Sequence, residues 1–121
     1  MQKLPYYGTY HHTSPEQSEF IRRVLRETFF DVFRLIEHPE TIKSILDAGS
    51  GLGYLSELAA DFFGSSSVTG VDLFGSESLP EGELELAERN MKAAGVDDRV
   101  QFIKSDLTEL DFPEEYFDLV I

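Results

Sequence analysis

The residues with the clearest chemical potential form a glycine-rich stretch, ILDAGSGLGYLSELAA, near the middle of the chain. An apolar run ends at Asp47 and a helical pattern begins at Tyr54, with Gly49, Gly51 and Gly53 between them. Glycine tolerates the positive φ angles of a tight turn. In an open α/β sheet, such a turn at the carboxyl end of a strand lets a ligand approach the backbone closely. The stretch therefore predicts a site for a nucleotide-like ligand.

The same stretch departs from the fingerprint of dinucleotide-binding proteins. That fingerprint has glycine or alanine three positions after its second glycine, where helix and strand pack closely under a pyrophosphate. Counted from Gly51, this position holds Tyr54, and Gly53 comes one residue early. The carboxylate of Asp47 would also face a diphosphate with the wrong sign of charge. The pattern favours a ligand that carries positive charge, while a nicotinamide-dependent oxidoreductase stays open as an alternative.

Two more acidic residues follow strand-like runs. VTGVDLF places Asp72 at the end of the second run, and RVQFIKSDLTEL places Asp106 after the third. In a parallel sheet Asp72 would lie beside the glycine-rich stretch, where its carboxylate can accept hydrogen bonds from both hydroxyls of a ribose. Ser105 followed by Asp106 is also an ordinary turn or helix-cap sequence, so a binding role and a structural role both stay open for Asp106.

Together these residues resemble the class I S-adenosylmethionine-dependent methyltransferases, whose first motif is an acidic residue and alternating glycines after the first strand. The resemblance covers about residues 41–121, and the motif match from Asp47 to Gly53 is complete. It implies S-adenosylmethionine as the cofactor, with its ammonium group near Asp47, directly or through water. It also implies an enzyme that transfers a methyl group from this cofactor to a nucleophile.

The resemblance further implies which residues contact the cofactor, although it names no catalytic residue. The residues of the first motif would line its methionine part, namely Asp47, Gly49, Ser50, Gly51 and Gly53. Asp72 would bind the ribose hydroxyls, and Leu73 would contact the adenine face. Asp106 would accept a hydrogen bond from the adenine amino group, and Leu107 would offer a backbone amide or an apolar contact.

Helices and strands must alternate to position these residues. Hydrophobic periodicity predicts helices over residues 15–37, 54–63 and 83–94, and strands over residues 41–46, 68–71, 100–103 and 117–121. This alternation predicts an α/β fold with a parallel sheet and right-handed crossovers. With the resemblance, it implies a Rossmann-like doubly wound parallel sheet in the order 3-2-1-4, with helices on both faces. The first helix is expected to pack its apolar stripe on the sheet. Residues 73–82 form a long acidic loop.

The two ends of the chain carry separate expectations. Residues 1–14 show neither period and are interpreted as an arm that docks or moves, ahead of a domain over residues 15–121. The final run, FDLVI, resembles a buried strand with an open apolar edge, which favours pairing with another chain and thus a homo-oligomer. We interpret the chain as the N-terminal part of a larger, truncated methyltransferase domain. A non-catalytic role as its cofactor-binding or assembling part stays open.

Composition restricts the remaining classes. The chain has 121 residues and no cysteine, which fits one small domain and excludes disulfides, thiolate zinc sites and cysteine nucleophiles. Three histidines are too few for a convincing metal cage. A formal net charge of -13 disfavours nucleic acid and leaves a small-molecule or protein methyl acceptor. No run approaches the ~18 apolar residues of a membrane span, and a secretion signal is missing, so we expect a cytoplasmic protein.

Overall fold

The structure is a computed structural model that describes residues 4–75 and 82–121. Its described helices are α1 (Pro15–Phe33), α2 (Tyr54–Phe62) and α3 (Glu83–Ala94). The strands are β1 (Ser44–Ala48), β2 (Ser67–Asp72), β3 (Val100–Lys104) and β4 (Leu119–Val120). Most of the predicted acidic loop, residues 76–81, lies outside the described part. Within that part, no helix has the length and apolar character needed to cross a membrane.

The strands form one parallel sheet in the order β3-β2-β1-β4. This order confirms the predicted Rossmann-like topology. The chain steps outward from β1 through α2 to β2 and through α3 to β3, and then returns past β1 to form β4. The direction of winding therefore reverses at β1. In open α/β sheets, ligands bind at the carboxyl ends of the strands beside such a reversal.

The hydrophobic core lies between one face of the sheet and the helices. Ile45, Val68 and Val100 are paired neighbours on this face and are buried. The same buried cluster contains one or more side chains from each helix, including Phe33, Ala59 and Met91. Right-handed crossovers that step in one direction place their helices on one face. The described residues place no helix on the other face, because the return connection over residues 105–118 forms only a 3₁₀ turn, Leu107–Glu109.

Several element boundaries differ from their predictions, among them that of β4, which spans Leu119–Val120 instead of residues 117–121, and the largest differences are in α1 and β1. α1 ends at Phe33 instead of residue 37, because the backbone bonds that follow span three residues, as in a 3₁₀ turn. β1 begins at Ser44 instead of residue 41, because Pro39–Thr41 form another 3₁₀ turn. The Thr41 hydroxyl closes that turn by donating to the His38 carbonyl at 2.6 Å.

The packing of α1 also differs from its prediction. The helix begins at Ser14 as expected, since the Ser14 hydroxyl accepts the N–H of Gln17 and the Gln17 side chain returns a bond. Its aromatic side chains, however, pack mainly on α2 rather than on the sheet. The rings of Phe30 and Phe33 lie 5.3 and 5.4 Å from the ring of Phe62. Part of the predicted apolar stripe of α1 therefore remains exposed.

The glycine within β2 is required by a neighbouring ring. A Cβ atom on Gly70 would lie 2.6 Å from the Phe102 ring and 2.9 Å from the Cβ of Ser50. Glycine inside a strand marks such a close approach. Phe102 of β3 thus packs across Gly70 and lies directly beneath the glycine-rich loop, where it also approaches Gly53.

We predict that Gly70→Ala lowers the free energy of unfolding by about 1–3 kcal/mol, because overpacking forces the ring and the strand apart. Urea denaturation measures the change. Gly64→Ala is the matched control, since a Cβ there meets no described atom within 4 Å. Adding Phe102→Leu should recover part of the loss. Equal stability of Gly70→Ala and Gly64→Ala would contradict the packing argument.

Candidate functional site

The glycine-rich loop joins β1 to α2 through three left-handed glycines. Gly49, Gly51 and Gly53 have φ angles of 78°, 52° and 95°, which residues with a Cβ rarely adopt. The N–H groups of Gly49 and Ser50 both donate to the carbonyl of Val71, at 2.8 and 3.0 Å. The loop is therefore fastened to the carboxyl end of β2.

Asp72 fastens the loop a second time. Its Oδ2 atom accepts the N–H of Gly51 and its Oδ1 atom accepts the N–H of Phe74, both at 2.9 Å. A carboxylate offers about four lone-pair positions, so both oxygens can accept a further bond. Asp72 is partly exposed, and Leu73 beside it is 60% exposed. Asp72 can thus hold the loop and bind ligand hydroxyls at the same time.

The loop leaves room for a ligand along its first two glycines. A Cβ atom on Gly49 or Gly51 would meet no described atom within 4 Å. A Cβ on Gly53 would instead lie 2.8 Å from Met91 and 2.9 Å from Phe102. The first two glycines therefore border open space, where a ligand can touch bare backbone, and the third packs against the core.

Asp47 lies inside the domain rather than on the loop surface. Its side chain is 2% exposed, and its Oδ2 atom accepts the hydroxyl hydrogen of Ser56 at 2.6 Å. Burial raises the pKa of Asp47 above its ordinary value, the Ser56 hydrogen bond partly lowers it, and the negative charge of Asp72 raises it. Positive charge nearby would favour the ionised form of this buried carboxyl.

Ser50 carries an unusual hydroxyl. Its Oγ atom is buried and has no hydrogen-bond partner within the described part of the chain. Buried polar atoms normally have a partner, so an unpaired one at a candidate site is consistent with a group or water that the site acquires on binding.

The end of β3 reaches the same edge of the sheet. The N–H of Ser105 donates to the carbonyl of Asp72 at 3.0 Å. Asp106, which follows, accepts the backbone N–H and the hydroxyl of Thr108, both at 2.8 Å, and these two bonds lower its pKa. Asp106 therefore performs the capping role that its sequence allowed. Leu107, predicted to contact adenine, is 45% exposed.

The structure joins the predicted residues into one region, to different degrees. The motif from Asp47 to Gly53 and Asp72 are connected by direct hydrogen bonds or by adjacency, with Leu73 next in the chain. Asp106 and Leu107 follow through the bond of Ser105 to Asp72.

Sequence reasoning missed Asn90, which is buried on α3 at 2% exposure. Its Nδ2 atom donates to the carbonyl of Leu52 in the glycine-rich loop at 2.9 Å and to the carbonyl of Tyr6 at 2.8 Å. Its Oδ1 atom accepts the N–H of Tyr6 at 2.8 Å. The available signal was a polar residue between Leu86 and Met91 on the apolar side of a helix.

The arm, described from residue 4 to residue 14, docks on the helices. The Tyr7 hydroxyl donates to the Glu57 carboxylate in the first turn of α2, and its ring lies 5.0 Å from that of Tyr54. The Arg22 guanidinium donates to the carbonyl of Gly8 at 2.9 Å. Burial raises the pKa of Tyr54 to about 12, so this phenol stays protonated at neutral pH. The arm thus lies at the start of α2, beside the glycine-rich loop.

Comparisons with known proteins agree with this geometry. A family model described as a methyltransferase domain matches residues 45–121. The chain is 38% identical over 73 residues to the ribosomal protein uL3 glutamine methyltransferase of Bradyrhizobium diazoefficiens, covering 60% of this chain and 21% of the relative. It is 31% identical over 81 residues to the rRNA N(6)-adenosine-methyltransferase metl-5 of Caenorhabditis elegans, covering 65% and 35%.

A solved structure shows the same fold. The plantazolicin methyltransferase BpumL, in complex with a monoazolic desmethylPZN analog and SAH, aligns with a TM-score of 0.59 and 24% identity. The alignment covers 87% of this chain and 36% of BpumL. The chain therefore spans between a fifth and somewhat over a third of the length of these proteins. Because the matched family model extends over more than half of its residues, the chain belongs to the methyltransferase domain family, as its resemblance to the class I S-adenosylmethionine-dependent enzymes implied.

Proposed function

We propose that this chain forms the cofactor-binding part of an S-adenosylmethionine-dependent methyltransferase that acts on a small-molecule or protein nucleophile. The observation that carries the proposal is the link between Asp72 and the glycine-rich loop. One carboxylate holds the N–H of Gly51 at 2.9 Å, beside open space along Gly49 and Gly51. Bare backbone and a carboxylate that could accept the ribose hydroxyls thus meet at the carboxyl ends of the strands.

The residues present fit this cofactor better than a dinucleotide. The cradle at Gly49 and Gly51 has no Cβ atoms to exclude a ligand. The carboxylate of Asp72 is bonded to it, and that of Asp47 is buried behind it at the end of β1. These negative groups would repel a diphosphate and attract an ammonium or a sulfonium. Membership of the methyltransferase family also disfavours the oxidoreductase alternative.

Asp47 would act on the cofactor through its charge. Since its carboxylate is buried against Ser56, it contributes negative potential close to the loop, and the cofactor's ammonium group would lie within that field. The ionised form that burial penalises would then gain a partner, directly or through water. The ionised Asp47 would therefore lower the stability of the free protein and raise its affinity for a cation.

The chemistry requires chiefly alignment. S-adenosylmethionine would supply a methyl group on a sulfonium sulfur, and the neutral thioether that departs when the C–S bond breaks is a good leaving group. The protein must hold donor and acceptor in line and exclude water, which can contribute much of the rate enhancement. In this chain the loop and Asp72 would orient the cofactor, while Leu73 and Leu107 would offer apolar surface to its adenine.

The acceptor is proposed from charge, since the relatives differ in what their names say they methylate: a ribosomal protein in one and rRNA in another. The chain carries 23 acidic and 10 basic residues, which disfavours a polyphosphate partner. A small-molecule or protein acceptor therefore suits it better. A cytoplasmic location, and pairing of the β4 edge with a second chain, stay predictions of the sequence.

Asp72→Ala should weaken binding of S-adenosylhomocysteine by about tenfold or more, because hydrogen bonds to a charged group contribute about 1.5–3 kcal/mol. Isothermal titration calorimetry measures the change, with circular dichroism to verify folding. Asp98→Ala is the matched control, since Asp98 is exposed at the opposite, amino end of β3. Tight binding of NAD in place of S-adenosylhomocysteine by the wild-type protein would refute the proposed function.

Asp47→Asn should stabilise the free protein increasingly as pH rises. Burial raises the pKa of Asp47, so the native state holds its proton more strongly than the unfolded state. The wild-type protein therefore loses stability as pH rises from the ordinary aspartate pKa of about 3.9 through the folded value, and the penalty is complete above it. The asparagine variant lacks this loss.

The measurement is the difference in urea unfolding free energy between Asp47→Asn and wild type at several pH values, which cancels the other titrating groups. The same variant should bind S-adenosylmethionine more weakly, because the negative charge opposite the ammonium is gone. A stability difference that does not grow with pH, or unchanged affinity, would contradict the role assigned to Asp47.

A further inference from the structure

One buried amide connects two segments that are far apart in sequence. Asn90 of α3 uses both N–H bonds of its side chain, one on the Leu52 carbonyl and one on the Tyr6 carbonyl, at 2.9 and 2.8 Å. Its oxygen accepts the Tyr6 N–H at 2.8 Å. This donor and acceptor pattern sets the orientation of the amide, since a flipped side chain would place N–H against N–H.

On one side, Asn90 controls a point in the cofactor loop. Leu52 lies between Gly51 and Gly53, which both have positive φ angles. The peptide group that carries the Leu52 carbonyl joins Leu52 to Gly53, and a glycine next to a peptide group lets it rotate more easily than most. The bond from Asn90 fixes the direction of the Leu52 carbonyl and so helps to fix the turn that borders the open cradle.

On the other side, Asn90 holds the arm by its backbone. The arm has no helix or strand between residues 4 and 14, so its docking depends on bonds to other elements. The Asn90 amide bonds both the N–H and the carbonyl of Tyr6, as a residue of a neighbouring β-strand would do with its backbone. Tyr7 provides a separate anchor on Glu57, and Gly8 lies against the loop, where a Cβ on it would sit 3.8 Å from the Leu52 side chain.

We propose that Asn90 is a positioning residue that couples the arm to the glycine-rich loop, so that docking of the arm and binding of the cofactor strengthen each other. The cofactor half of this coupling rests on the proposed function. The link between the arm and the loop does not rest on it, because the three hydrogen bonds of Asn90 are present in the protein without ligand. Coupling is reciprocal: the factor by which cofactor stabilises the docked arm equals the factor by which the docked arm raises cofactor affinity.

The first experiment needs no ligand. Amide hydrogen exchange by NMR on the full chain compares wild type with Asn90→Ala. We expect exchange at Tyr6 and at Gly53, whose N–H bonds to the Ser50 carbonyl, to rise together by at least about fivefold, a typical lower bound for coupled sites. Amides at the end of α3, such as Ala94, should keep their protection. Asn90→Ser, which stays neutral and is too short to make the three bonds of the amide, replaces the alanine variant if that fails to fold.

The second experiment adds saturating S-adenosylhomocysteine. In wild type the ligand should slow exchange at Tyr6 at least about fivefold, and in the Asn90 variant this slowing should disappear. Tyr7→Phe is the matched control, because it loosens the arm through Glu57 and leaves Asn90 in place. It should keep the ligand-dependent slowing.

The outcomes separate the two proposals. If calorimetry shows no binding to wild type, the proposed cofactor function fails, and the ligand-free comparison alone decides the coupling. The coupling is overturned if exchange at Gly53 is unchanged in the Asn90 variant, or if α3 loses protection throughout. It is likewise overturned if bound ligand slows Tyr6 equally with and without Asn90.

Discussion

The site depends on how the backbone N–H groups of a left-handed turn find acceptors. The N–H groups at Gly49 and Ser50 share the carbonyl of Val71, and that of Gly51 takes the carboxylate of Asp72. Unpaired backbone donors are costly once removed from water. The end of β2 therefore shapes the loop after β1, so that the candidate binding surface and the carboxylate of Asp72 form a single unit.

Asp47 is the least favourable group of this unit. A buried carboxylate is expensive unless it is paired, and the described hydrogen bonds of Asp47 come from the hydroxyl and the backbone of Ser56, with no cation among them. An asparagine would accept the hydroxyl hydrogen bond at lower cost. Under the proposed function, this cost becomes an attraction realised only when a cationic cofactor binds, so stability and cofactor affinity would oppose each other at this residue.

The sequence was sufficient for the topology and for the motif, because both depend on local patterns. The alternation of helices and strands and the extent of α3 follow from hydrophobic periodicity, and the left-handed turn follows from glycines that tolerate positive φ angles. The strand order agrees with the fold that the family resemblance implied. Asn90 and Gly70 could not be assigned, since their roles arise from segments brought together only in the fold: Tyr6 and Leu52 for the amide, Phe102 for the glycine. The exposed stripe of α1 was misjudged for a related reason, because periodicity shows that a helix is amphipathic but does not name the surface it covers.

The most direct test of the central claim is an NMR titration of the full chain with S-adenosylhomocysteine. If strand-end carboxylates and bare backbone receive the adenosyl group, the largest amide shifts will fall on Gly49 to Gly53 and on Asp72 to Phe74. Residues at the amino ends of the strands, such as Ser44 and Ser67, will be unaffected. Shifts confined to the amino ends of the strands, or spectra that do not change at saturating ligand, would contradict the account.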